Sequence, residues 1–386
     1  MNRRRFVELG LMGAAGAGLN QVWAKETPSS QHFFSVIQKG GRHWLQDPQG
    51  NPFWSIGMNH VDPATLRYID SGDVWNEEFG NSMQRWLKIV REDLTEWGFN
   101  SLGWNQEAVI WNDQNRSHSR SFTFEEYQWL EMPHCHLLPF IESHQWEVKT
   151  RLPDLRSKGF ADWCDYVARD QCARMKHDPN LIGYFFTDCP TWIHSSDATA
   201  WKAPLFDPDM LKTPAGKREL RDLATAYYRI TTEAIKRYDP NHLILGDRYD
   251  ADRPIAEEVL AAAQPYVDVY SFQCFADAKG VQKRLGQWAD LFPEKPILLA
   301  DNARWHPTEH SGWPPKDTRH IDPAAYAEIM QTLQAMPQCI GYHLCGAYLR
   351  NKTRRYGLKD NQNQLAPSTA AIAAVNESAR AWATGF

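Results

Sequence analysis

Gly183-Tyr-Phe-Phe-Thr-Asp-Cys-Pro-Thr-Trp192 and Lys295-Pro-Ile-Leu-Leu-Ala-Asp-Asn-Ala-Arg-Trp305 decide the reading of this chain. In each, a short apolar run stops at acidic, polar and aromatic residues. In a protein built from strand-helix repeats, such positions fall on the C-terminal rim of a parallel barrel, where carboxylates and aromatic rings can hold and cleave sugars. Asp188 and Asp301 are therefore the first candidates for chemistry.

Outward from these two strands the same alternation continues. Residues 34–59 alternate apolar and polar, broken by Gly40-Gly41 and by Asp47-Pro-Gln-Gly-Asn-Pro52, which is hairpin chemistry. That hairpin is expected to cap the bottom of a barrel and to feed a first strand, Phe53-Trp-Ser-Ile-Gly-Met58. Residues 82–97 carry Met83, Trp86, Leu87, Val90, Leu94 and Trp97 on one helical face and end at Gly98. Strands follow at Phe99-Asn-Ser-Leu-Gly-Trp104, Cys135-His-Leu-Leu-Pro-Phe-Ile141, residues 181–186, His242-Leu-Ile-Leu-Gly246, Val267-Asp-Val-Tyr-Ser-Phe272, residues 296–300 and Cys339-Ile-Gly-Tyr-His-Leu344. Helical spacing recurs between them, over 160–177, 217–238, 255–263, around Val281, Leu285 and Trp288, and over 322–336. Eight strands separated by helices or long loops predict a (β/α)8 TIM barrel with an N-terminal β-hairpin and long rim loops at 111–121 and 195–213. No glycine-rich nucleotide loop follows any strand.

Bulk properties narrow the partners. A formal net charge of −5 on 386 residues offers no footprint for nucleic acid or an anionic membrane. Seventeen Trp and 12% aromatic residues exceed what most soluble domains carry; sugar-stacking platforms account for some, core packing for the majority. Seven cysteines form no C-x-x-C pair, and an odd number does not read as a disulfide framework. Asn2-Arg-Arg-Arg-Phe-Val-Glu8, a Gly/Ala-rich apolar stretch and Val22-Trp-Ala24 read as an export signal of the twin-arginine kind over residues 1–24. The expectation is a single barrel domain over 25–386, periplasmic or secreted, with no membrane contact in its mature form. Free buried thiols agree with folding before export.

Several segments carry a family likeness: Gly41-Arg-His-Trp-Leu-Gln-Asp-Pro-Gln-Gly-Asn-Pro-Phe53 with Gly57-Met-Asn-His60, Glu96-Trp-Gly-Phe-Asn-Ser101, Ile182-Gly-Tyr-Phe185, His242-Leu-Ile-Leu-Gly-Asp-Arg248, Ala263-Gln-Pro-Tyr-Val-Asp-Val-Tyr-Ser271 and Lys295-Pro-Ile297. Over most of its mature length the chain resembles agarase-like glycoside hydrolases of clan A. The resemblance implies a TIM barrel acting on a galactan-like, possibly algal, polysaccharide or oligosaccharide. In that clan the fourth strand ends in Asn-Glu, the Glu being the acid/base, and the seventh ends in a nucleophilic Glu. Here Asp188 and Cys189 take the first pair of positions and Asp301 the last, so neither glutamate is present.

Glycoside cleavage needs one protonated and one ionised carboxyl, and two aspartates can supply them. The expected assignment is Asp188 as acid and Asp301 as nucleophile or base; the bland alternative has both capping helices or holding rim amides. Asp247 is a further candidate acid, and Arg248 orients a carboxylate or sugar hydroxyl or else forms a structural ion pair. Cys189 reads as a small rim-packing residue or else as a thiol nucleophile or metal ligand. Asn59, His60, Trp104, Asn105, Glu107, Trp192, Gln273, Trp305 and His343 are expected to line the same mouth, with Glu107 as a reserve acid. His134-Cys-His136 cannot all ligate one ion, because alternate strand residues point to opposite faces. No metal set and no cofactor motif is read. The basic run Arg350-Asn-Lys-Thr-Arg-Arg355 is either a solvated loop or a site for sulfate or carboxylate groups. The alternative to a hydrolase is a non-hydrolytic carbohydrate-binding barrel.

Overall fold

In the computed structural model, eight parallel strands close into a barrel in strict chain order: Ser55–Met58, Ser101–Leu102, His134–Leu137, Leu181–Asp188, Leu243–Asp250, Tyr270–Gln273, Ile297–Asn302 and Cys339–Leu344. The expected (β/α)8 TIM barrel is thus the observed one. The structure describes residues 32–67, 73–110, 116–141, 153–190, 192, 208–305, 319–346, 348–350 and 354–386. The expected leader at 1–24 and most of the expected loop at 195–213 lie outside them. Among the described residues no helix is long and apolar enough to cross a membrane.

Helices cover the outside of the barrel because their apolar positions recur at helical spacing. Met83–Glu96 buries Trp86, Leu87, Val90 and Leu94, and its N-cap Ser82 accepts from the Arg85 amide. Pro214–Tyr238 buries Leu220, Leu223, Tyr227, Tyr228 and Ile235, with Thr213 as N-cap and Pro at the first turn, where its missing N–H costs nothing. Three helices escaped the sequence reading: Val74–Phe79, Phe124–Leu130 and Thr369–Thr384. The first two are too short to show periodicity; the second is marked only by its Thr123/Glu126 capping box.

The barrel floor is closed by the N-terminal hairpin, as expected, with strands Ser35–Lys39, Arg42–Gln46 and Pro52–Phe53 forming a small antiparallel sheet. Its Phe34, Val36, Leu45 and Phe53 join the lumen residues Ile182, Phe185, Leu243, Leu245, Val269, Leu298 and Ile340 in one apolar cluster. Beneath it Trp382 of the last helix packs near Trp44 (5.3 Å) and Trp54 (5.8 Å). Arg42 lies over both the Trp382 and Trp44 rings, at 4.6 and 5.0 Å. It donates to the Gln334, Met336 and Cys339 carbonyls. Eight tryptophans, 44, 54, 75, 86, 97, 104, 192 and 288, are buried, so packing accounts for most of those described.

Candidate active site

Strand phase decides which side chains reach the mouth. In the fifth strand Leu245 faces the lumen, and plain alternation would bring Asp247 inward and turn Arg248 out. Gly246 breaks the alternation: at φ +66° it forms a bulge, and the register with the fourth strand shifts on both sides of it. Arg248 therefore points into the barrel and Asp247 into the helix layer. A β-carbon on Gly246 would sit 2.9 Å from Val267 Cγ1 as well as in a left-handed conformation, so glycine is required there.

Arg248, fully buried, organises the mouth. Its Nε donates to Asp188 Oδ1 at 2.8 Å, and its Nη1 lies 3.4 Å from Asp301 Oδ2. Its guanidinium stacks 4.3 Å over the Trp104 ring. Burial works against the arginine's charge, but Asp188 and Asp301 raise its pKa above the ordinary value. Asp188 and Arg248 are register partners across strands four and five, as are Gln273 and Asp301 across six and seven.

Asp301 is met from two further directions. Asn59 Nδ2 donates to its Oδ1 at 2.7 Å and to the Ala300 carbonyl at 2.7 Å, while Asn59 Oδ1 accepts from the Trp104 amide at 2.8 Å. All of the Asn59 amide is engaged by protein, so it positions Asp301. His60 Nε2 lies 3.9 Å from Asp301 Oδ2, and its Nδ1 bonds the Gln106 carbonyl. Burial opposes charge on Asp301, yet the Arg248 guanidinium, with Asn59 donating beside it, holds its carboxyl well below the usual range. For His60, burial and then Arg354 lower the pKa, favouring the neutral ring.

The backbone is strained at two of these strand ends. His60 (φ 56°) and Cys189 (φ 44°) are left-handed without being glycine. Each such residue costs about 1–2 kcal/mol, and such positions gather at functional sites. The Cys189 turn places its Sγ against Gln273 Nε2 and its amide on the Arg248 carbonyl (3.0 Å).

Several polar atoms here are buried without a hydrogen-bond partner among the described residues: Trp104 Nε1, both Asn105 amide atoms, Gln106 Oε1, Arg248 Nη2 and His343 Nδ1. Buried polar groups are normally bonded. A cluster of exceptions at one end of a barrel suits a polar molecule rich in hydroxyls.

Other expected residues lie elsewhere. The Asp247 carboxylate accepts from Tyr227 (2.9 Å) and Tyr228 (2.6 Å) behind the strand, so the expectation of an acid facing substrate is corrected there. Burial pushes it up to about 7, against the two tyrosine hydroxyls. Trp192 packs on the same tyrosines, at 5.7 and 6.3 Å, on the helix side and not as an open platform. His343 lies inside the lumen below the mouth, its Nε2 bonded to Ser55 Oγ at 2.8 Å. Burial, with Arg248 adding, pushes its pKa down to about 3. Its ring fills the space where β-carbons on Gly57 and Gly103 would come within 2.4 and 2.5 Å. Trp305 is half-buried at the edge, parallel to Phe275 at 6.3 Å, with Arg319 5.4 Å from its ring; His306 lies outside the described residues.

Glu107, the reserve acid, is closed off by Arg354 (2.7 Å, both side chains 4% exposed). Arg354 in turn comes from the basic run, which is thus neither an open loop nor an open anion site at that residue; Arg350 pairs with Asp360 at 2.8 Å. His134 and His136 face the helix layer, bonding Met132 and Gln171, while Cys135 faces the lumen.

Two participants were missed. Asp250, at the end of the fifth strand, has its carboxyl raised by burial, with the Asp188 charge adding, against the Asp252 amide and Arg253. Its place after Arg248 in the alternation was the available signal. Cys345 ends the eighth strand, where burial, then Asp301, pushes its thiol up. His60, Asp301 and Cys345 are the described trio whose ligand atoms all lie within 4.8 Å of one another.

Fold and mouth together define a (β/α)8 barrel whose C-terminal face carries paired buried carboxylates around an arginine. No family model and no curated protein matches the sequence. Solved structures match the fold. An agarase, AgWH50C, is 19% identical with a TM-score of 0.66, covering 90% of this chain and 63% of its own. An exo-β-agarase is 17% identical at a TM-score of 0.68, covering 92% and 65%. A Bacteroides uniformis β-glucuronidase is 12% identical at 0.53, covering 89% and 37%. The chain spans less than two thirds of the length of each of these three.

Proposed function

We propose that this protein is a glycoside hydrolase that cleaves a galactan-like or related polysaccharide or oligosaccharide at the barrel mouth. The observation that carries the reading is the linkage of Asp188 and Asp301 through one buried guanidinium, near polar atoms that have no hydrogen-bond partner among the described residues. Asp301, kept ionised, is the carboxylate that faces the anomeric carbon, as nucleophile or as base for water. A proton must reach the leaving oxygen from a second carboxyl. Asp188 stands closest to Arg248, but its Oδ1 is an acceptor from Nε, so acting as acid requires that contact to loosen as substrate enters. Asp250, whose carboxyl is raised by burial although Arg253 pairs with it at 3.0 Å, is the neighbouring alternative. Neutral sugars fit better than anionic ones, because the arginines of the mouth already face carboxylates.

The test is release of reducing ends from neutral, sulfated and uronic polysaccharides, with Asp301→Asn, Asp188→Asn and Asp250→Asn run in parallel. Cleavage lost in Asp301→Asn and in one of the other two supports the hydrolase and identifies its acid. A second reading, a sugar-binding barrel without hydrolysis, is favoured by the same Arg248 contacts, since they neutralise both aspartates. Saturable sugar binding with no bond cleaved on any substrate would replace the first reading with the second. We also infer export by the twin-arginine route. Replacing Arg3 and Arg4 with Lys should leave the precursor in the cytoplasm, and export of that variant would sink the inference.

A further inference from the structure

The same mouth contains a second constellation, which shares Asp301 with the proposed cleavage and adds two residues that cleavage does not use. His60, Asp301 and Cys345 bring one nitrogen, one oxygen and one sulfur within 4.8 Å of each other, all buried. Their origins are independent: the ends of the first, seventh and eighth barrel strands. Because His60 Nδ1 is bonded to a carbonyl oxygen, that nitrogen carries the proton and Nε2 turns its lone pair toward Asp301 Oδ2, 3.9 Å away. A lone pair aimed at a carboxylate oxygen is repulsive unless a proton or a cation lies between them.

We propose that His60 Nε2, Asp301 Oδ2 and Cys345 Sγ form a three-ligand site for a thiophilic divalent cation, with zinc the best match to the donors. Tetrahedral bonds of about 2.0–2.3 Å set ligand atoms roughly 3.3–3.7 Å apart, so side-chain shifts of about 1 Å or less close the site. The charge of the pocket suits it. Asp188, Asp301 and Glu107 face two guanidiniums, Arg248 and Arg354, leaving one negative charge, and ionising Cys345 makes a second. A divalent cation balances both. The surroundings resemble those that orient metal ligands: the Gln106 carbonyl fixes the His60 tautomer, and Asn59 holds the other Asp301 oxygen. A thiolate with an imidazole selects zinc or cobalt over magnesium or calcium, which favour oxygen donors.

The inference goes beyond the hydrolase reading and does not rest on it. A cation on Asp301 and attack by Asp301 on a sugar exclude one another, so metal would hold the enzyme off.

The reduced full-length protein, stripped with chelator, is titrated with Zn2+ and with Co2+ by calorimetry and absorption. One equivalent should bind, and Co2+ should produce a thiolate-to-cobalt charge-transfer band. Cys345→Ser should abolish the band, and His60→Gln should weaken binding at least about tenfold. Cys164→Ser, at a thiol buried under an outer helix, should change neither, and circular dichroism verifies that each variant is folded. If Cys345→Ser misfolds, Cys345→Ala and His60→Gln carry the test. No uptake of either metal overturns the proposal. So does a band that survives the loss of Cys345, or one that disappears instead in Cys189→Ser.

Discussion

The two ends of the barrel each bury an arginine, and the two are partnered differently. At the floor, Arg42 faces three carbonyl oxygens and two tryptophan rings; burial lowers its pKa, and among the described residues no carboxylate pairs with it. At the mouth, Arg248 faces two carboxylates, which raise its pKa despite deeper burial. Around Arg42 the lumen is apolar, closed by Phe34, Leu45 and Phe53. Around Arg248 the lumen holds charges, left-handed residues and polar atoms without partners. One end invests its residues in stability, the other tolerates strain, and that division is where barrel enzymes put their chemistry.

The widest separation of the two ends comes from Asp301→Asn. It should lower kcat on the order of 10³-fold in a protein still folded by circular dichroism, although loss of a charge that Arg248 stabilises also lowers the urea midpoint; equal kcat would remove the mouth's claim to catalysis. Next is Arg248→Met, which leaves Asp188 and Asp301 buried together and should cost about 3–5 kcal/mol in urea unfolding. The matching cut at the floor, Arg42→Met, should cost only about 1–3 kcal/mol, because it abandons carbonyls and not carboxylates, and should leave sugar affinity intact. An equal loss in the two variants would erase the contrast. Gly246→Ala should cost about 1–2 kcal/mol and also lower sugar affinity, since the bulge aims Arg248. Lost stability with unchanged affinity would show that the bulge does not matter to the mouth.

The last effect is read against pH. Asp247 has a folded pKa raised to about 7 against an unfolded value of roughly 3.9, so the folded state keeps a proton that the unfolded state has released. Its contribution to stability is therefore highest at low pH and falls as pH rises from about 4 to 7. Asp247→Asn should flatten that fall, measured as urea midpoints between pH 4.5 and 8. Parallel curves for the two proteins would place the titration elsewhere.

The barrel was legible because its eight strands and principal helices differ in period and follow in chain order. The floor was legible too, from turn residues alone. What the sequence concealed was phase. Asp247 and Arg248 are adjacent letters, and only a glycine within a strand, a known bulge signal, exchanges the faces they take. Arg354 looked solvent-exposed because its partner, Glu107, lies on the opposite side of the sequence and meets it only when the barrel closes. Cys345 looked like one more small hydrophobe, and its approach to His60 and Asp301 is likewise a product of closure. Asp188 and Asp301 were readable because both end apolar runs; the guanidinium between them was not.

The floor has a practical corollary. Phe386 packs 5.0 Å from Trp44, so residue 386 lies at the sealed end of the barrel. A support or reporter attached there is separated from the mouth by the length of the lumen. Tethered to a sensor through that residue, the protein would offer its C-terminal rim to the flowing solution, and a long polymer would reach it as freely as a short one.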